Sequence, residues 1–186
     1  MILSTDFYHQ SDVVQVARDL LGQILVTEFD GIRTAGVITE TEAYSHRERG
    51  CHAFGRKRTA RTESMFLPGG HAYVYLCYGI HHLFNVVTNT ADEPEAVLIR
   101  AVRPVEGIDE ILRRRGRDRI TADLCNGPGK LTQALGIRTD HDRTDLTAGP
   151  VRIEHGEAIT SVRATPRIGI EYAGADAGLP WRFVVG

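Results

Sequence analysis

The stretch QILVTEFDGIRTAGVITETEAY, Gln23 to Tyr44, decides the fold. Gln23–Phe29 and Ile32–Tyr44 are rich in Ile, Val, Thr and Phe and read as two strands. The Asp30-Gly31 between them favours a tight hairpin. Upstream, Ser11–Leu21 reads as a helix: Ser11 can cap it, Val13, Val16, Ala17, Leu20 and Leu21 form one apolar stripe, and Gly22 can stop it. Downstream, Ala72–Tyr78 and Leu83–Thr88 are strand-like runs around Tyr78-Gly79, and Ala96–Val102 is a further apolar strand. Glu106–Arg115 and Lys130–Leu135 read as helices. Val151–Glu154, Ile159–Val162, Ile168–Tyr172 and Arg182–Val185 read as strands. The helices are few and do not alternate with the strands, which predicts one α+β domain over residues 1–186 with a largely antiparallel sheet.

Composition narrows the class. The chain is 42% hydrophobic and 25% charged with a formal net charge of −2. Those values exclude disordered, collagen-like and coiled-coil chains, and a wholly electrostatic nucleic-acid binder. Cys51, Cys77 and Cys125 form no CxxC pair, so a reducing, cytoplasmic setting is expected, and no signal peptide is visible in the first residues. The longest stretch without Asp, Glu, Lys or Arg, Ser64–Ala91, is broken by Pro68, Gly69, Gly70 and Gly79, so no membrane span is expected. Charge is unevenly spread. From His46 to Arg61 six cations (Arg47, Arg49, Arg56, Lys57, Arg58, Arg61) face one acid, Glu48. That run is either a solvated loop or the contact for an anionic partner. Arg113–Arg119 reads as a solvated face.

The chemistry-bearing residues concentrate in two strands. Strict alternation puts Ile38, Glu40, Glu42 and Tyr44 on one face. Two carboxylates there are either the exposed face of an edge strand or a site where a carboxylate activates water. Tyr73, Tyr75 and Cys77 share a face opposite Val74, Leu76 and Tyr78; such tyrosines are either core or a stacking wall with an exposed tip. The histidines lack HxxxH or HxE…CxxC spacing, so no metal site is expected. Gly127-Pro128-Gly129-Lys130 is no phosphate loop and reads as a helix start, whose free N–H groups can hold a DNA phosphate.

Together these residues resemble a family. Glu40-Thr-Glu-Ala-Tyr44, a loop with His52, Met65-Phe66, Tyr73-Val-Tyr-Leu-Cys-Tyr78-Gly79, Asn85, Val97-Leu-Ile-Arg100-Ala, Gly127-Pro-Gly-Lys-Leu131 and Arg167-Ile-Gly-Ile170 follow in the order seen in alkyladenine (3-methyladenine) DNA glycosylases. The resemblance implies a compact domain with a curved antiparallel sheet and no metal or redox cofactor. It implies a protein that flips an alkylated or deaminated purine out of damaged double-stranded DNA and hydrolyses its N-glycosidic bond. By the same match Glu42 is the general base, and Arg100 and the backbone at Ile168 hold the attacking water. Tyr44 and His52 (rather than His46) form one wall of the base pocket and Tyr75 the other. Asn85 restricts which bases fit, and Tyr78 is the wedge left in the duplex. Arg56, Arg58 and Lys130 are the expected DNA contacts, with Arg138 or Arg143 as further candidates, and a monomer is expected. Lys57 and Lys130 are the only lysines. Neither matches a Schiff-base motif, so a monofunctional enzyme is expected. Two other readings stand beside this one: a non-catalytic module using the tyrosines as a stacking platform, and a small-molecule transferase or hydrolase on the same fold.

Overall fold

The computed structural model describes residues 1–186. Its centre is the hairpin of β1 (Ile24–Phe29) and β2 (Ile32–Ser45), turned by Asp30 (φ 53°) and Gly31 (φ 76°) with Phe29 paired to Ile32. Around it are β3 (Ala72–Cys77), β4 (His81–Thr88), β5 (Glu95–Glu106), β6 (Val151–Glu154), β7 (Val162–Thr165) and β8 (Arg182–Val185). The order across the sheet is β3-β4-β5-β2-β1-β6, with β8 beside β2 and β7 beside β8, and every pairing is antiparallel. The expected α+β class and curved antiparallel sheet are what the chain adopts.

The curvature is produced in β2. One of its edges follows β1 up to Val37, then takes β8 at Glu40–Glu42; the other edge stays with β5. Between these partners lies a bulge, where Ile38 pairs with Val102 but Glu40 with Ala101. The extra residue reverses the alternation. Ile38 therefore joins Ala43 in the core, and does not share a face with Glu42 and Tyr44 as strict alternation predicts. The edge-strand reading also fails, because β2 is flanked on both sides at Glu40–Glu42.

The short α1 (Thr5–Tyr8) leads into α2 (Val13–Asp19), which with α3 (Ile108–Arg115) and α4 (Pro128–Leu135) covers one sheet face over a core that includes Val16, Leu20, Phe84, Ile99, Leu131 and Phe183. Asp12, not Ser11, caps α2, accepting from the N–H groups of Val14 and Gln15 at 3.0 and 3.1 Å. A smaller cluster, Cys51, Ala53, Met65, Phe66, Tyr73, Val87 and Ala96, lies under the His46–His71 loop, with Tyr44 and Tyr75 packed on it.

Several expected boundaries shift, and one expected strand does not form. Glu106 ends β5 instead of opening a helix, because Gly107 (φ 69°) breaks the chain there and lies too close to Arg33 for a side chain. The strand expected at Ile159–Val162 lies at Val162–Thr165. Ile168–Tyr172 is not a strand: Gly169 has φ 76°, a 3-10 segment begins at Glu171, and the Ile168 N–H serves a side chain rather than a ladder.

Candidate active site

On the face away from α2, alternation along four strands lines one cavity of about 460 Å³. β2 supplies Tyr44, β3 Tyr73 and Tyr75, β4 Leu83 and Asn85, and β5 Ala96, Leu98 and Arg100. Their neighbours Ala43, Val74, Phe84, Val97 and Ile99 point into the core. At the β3–β4 tip the alternation ends, and Leu76, Cys77 and Tyr78 all line the cavity. Gly50, His52, Arg61 and Met65 from the long loop and Ile168, Gly169, Ile170 and Tyr172 from the C-terminal part complete it.

Glu42 lies against this lining, completely buried. Its Oε1 accepts from the Ile168 N–H at 2.8 Å. Its Oε2 accepts from the Tyr44 hydroxyl at 2.8 Å and from Arg100 Nη1 at 3.4 Å. Three donors aimed at one side chain suit a carboxylate, which has about four acceptor positions. Burial and the adjacent Glu42 push the Tyr44 phenol well above its ordinary range, so it stays a donor. Arg100 reaches further, its Nε donating to Glu40 at 2.9 Å, and Arg182 Nε donates to the same Glu40 oxygen at 2.6 Å. Glu40, Glu42, Arg100 and Arg182 thus form a charge-balanced network.

The aromatic wall is also tied down. His52 Nδ1 lies 2.9 Å from the Tyr73 hydroxyl, and its ring meets Tyr75 edge to face at 4.8 Å and 77°. Burial, then the charge of Arg61, lowers the His52 pKa to about 4, and the imidazole is neutral near pH 7. Burial pushes the Tyr73 phenol up to about 12. Asn85 is buried with its Nδ2 donating to the Tyr73 carbonyl at 3.1 Å. Tyr78 stands at the tip, 91% exposed, in the left-handed region at φ 51° beside Gly79 at φ 71°. Exposed Ile80 follows it.

A family model described as methylpurine-DNA glycosylase matches residues 6–186. The chain belongs to the methylpurine-DNA glycosylase family. It is therefore a DNA N-glycosylase of the alkylation-repair type. Among its relatives is a protein of Chlamydia abortus named "Putative 3-methyladenine DNA glycosylase", 44% identical over 186 residues, covering 99% of this chain and 98% of the relative. Proteins with the same name from Chlamydia pneumoniae (99% and 95% covered) and Bacillus thuringiensis (95% and 92% covered) are likewise 44% identical.

Within this glycosylase fold, Arg100, Tyr44, His52, Tyr75, Asn85, Ile168 and Tyr78 come together at the cavity, and Glu42 bonds directly to three of its lining residues. His46 does not line it; its Nε2 faces Glu93 at 3.1 Å. Arg56, Arg58 and Lys130 lie outside the lining and each has an acid: Glu93 for Arg56, Glu63 and Asp92 for Arg58, Asp123 for Lys130. Pro128 opens α4, as expected. No three His, Cys, Asp or Glu side chains converge where they could hold a metal ion.

The support behind the site carries no local signal in the sequence. Arg167 is buried and pairs through both terminal nitrogens with Glu48 at 2.7 Å, while its guanidinium lies 4.7 Å from the Tyr44 ring centroid and 5.2 Å from that of Trp181. This pair joins the His46–His71 loop to the segment that carries Ile168. The lone acid in the basic run marks only one partner, and the other lies more than a hundred residues away. Arg61 and Arg182 were also not singled out as site residues.

Proposed function

We propose that this chain acts as one monomeric catalytic domain, a monofunctional glycosylase that takes a damaged purine from duplex DNA into the cavity. The purines are of the 3-methyladenine, 7-methylguanine, hypoxanthine and ethenoadenine class. The observation that carries the reading is Glu42, fully buried against the cavity lining with three donors fixing its carboxylate.

The water oxygen forms a bond to C1′ as the N-glycosidic bond breaks. Its proton passes to Glu42, and the base departs with the bonding electron pair. The sugar becomes oxocarbenium-like, and the Glu42 charge stabilises it in a site that excludes bulk water. Glu40 is needed to balance Arg100 and Arg182, whose charges would otherwise oppose that cation. Tyr44, His52 and Tyr75 provide the stacking surfaces, and a flat base entering between His52 and Tyr75 must part their edge-to-face contact. Asn85 limits the shape of the base. Tyr78, exposed on a turn, fills the gap in the duplex, and damaged bases cost less to flip. Arg56, Arg58 and Lys130 meet phosphates by exchanging their present carboxylates for DNA.

The stacking-platform alternative leaves Glu40 and Glu42 as ordinary edge charges, whereas both are buried and bonded. No lysine lines the cavity, which supports monofunctional chemistry. The test is incubation with lesion duplexes, split between hot alkali and borohydride. Alkali-dependent cleavage without a trapped protein–DNA adduct is expected. A borohydride-trapped adduct would overturn the monofunctional reading, and absence of base release from every lesion would overturn the glycosylase reading.

A further inference from the structure

Arg61 belongs to the cavity but has no part in the chemistry above. Its loop neighbours Arg47, Arg56 and Arg58 each pair with a carboxylate, Glu95, Glu93 and Glu63 respectively. Arg61 makes no salt bridge. Instead its guanidinium carbon lies 4.8 Å from the Tyr75 ring centroid, and its Nη2 lies 3.4 Å from His52 Nε2. The guanidinium can only donate, so Nε2 accepts from Arg61, which fits the neutral imidazole with its proton on Nδ1 donating to the Tyr73 hydroxyl. The other charges at the cavity cancel: Glu40 and Glu42 against Arg100 and Arg182, and Glu48 against Arg167. Arg61 therefore leaves the cavity with an excess of one positive charge, resting on the aromatic face that a bound base would use.

We propose that Arg61 determines substrate selectivity by charge, disfavouring cationic N-alkylated purines relative to neutral deaminated or etheno purines. The inference rests on the glycosylase reading and adds a substrate class to it. Two effects act in the same direction. A purinium ion and the guanidinium compete for the same electron-rich ring. After Arg61 is displaced from Tyr75, its tether keeps the charge near the cavity mouth, where repulsion at partly screened distances still counts. A neutral base loses only the place on the ring.

The test compares single-turnover excision of 7-methylguanine (cationic) and hypoxanthine (neutral) from otherwise identical duplexes by wild type, Arg61→Gln and Arg61→Lys. Arg61→Gln is expected to raise the 7-methylguanine to hypoxanthine rate ratio by about three- to tenfold. Arg61→Lys, which keeps the charge, is expected to stay within about twofold of wild type. A purely structural or DNA-contacting Arg61 would slow both lesions together and leave the ratio unmoved; that result, or a ratio shifted toward hypoxanthine, overturns the inference while the glycosylase reading stands. Wild type that releases neither of these bases, nor 3-methyladenine or ethenoadenine, overturns both.

Discussion

Fixing a side chain inside the site has a cost, and His52 shows it. Its imidazole stays neutral because burial and the Arg61 charge oppose protonation, with a pKa of about 4 against an ordinary value near 6.5. The unfolded chain binds a proton there at higher pH than the folded one does. Stability is therefore fully present above about pH 6.5 and is lost as pH falls toward 4. Replacing His52 by Gln removes the titration. Urea unfolding between pH 7 and pH 4 is expected to show wild type losing about 1–3 kcal/mol relative to His52→Gln. Parallel pH profiles for the two proteins would contradict this assignment.

At the scale of elements, the decisive feature is the join between the His46–His71 loop and the segment after β7. Arg167 and Glu48 are paired out of water, and Gly50 sits so close that an added Cβ would lie 2.8 Å from Glu48 Oε2 and 3.1 Å from Arg167 Nη2. Truncating one partner leaves the other charge buried alone. Arg167→Ala is expected to lower unfolding free energy by about 3–5 kcal/mol, measured by urea titration. The Glu48→Gln, Arg167→Met double variant should lose less; equal losses would place the effect in packing rather than charge. Local patterns in the sequence already marked the β1–β2 hairpin, the α2 stripe, α4 and the tyrosine strand, because a turn dipeptide or a period of two or 3.6 is written within a few residues. The bulge near Glu40, the conversion of Ile168–Tyr172 into a non-strand, and the Glu48–Arg167 and Glu40–Arg182 pairs were not legible. Each depends on a partner far away in sequence, and no spacing rule reaches it. Glu42, Tyr44, His52 and Asn85 were placed by resemblance; alternation alone grouped Glu42 with Tyr44 but wrongly added Ile38.

For the molecule as a whole, the sheet separates two tasks. One face packs on helices and carries the main core; the other converges on a cavity ringed by exposed apolar side chains, Leu76, Tyr78, Ile168 and Tyr172. A net charge of −2 is compatible with a DNA substrate because Arg56 and Arg58 in the loop are neutralised locally by acids that a phosphate backbone can replace. The proposed chemistry turns on Glu42 activating the water that releases the base. The most direct measurement is single-turnover base release from a hypoxanthine or ethenoadenine duplex by wild type and by Glu42→Gln, which keeps the shape of the side chain. A rate lowered by about 10²–10⁴-fold in the variant, with binding of the lesion duplex retained, is the predicted result. Release by Glu42→Gln at the wild-type rate would contradict it.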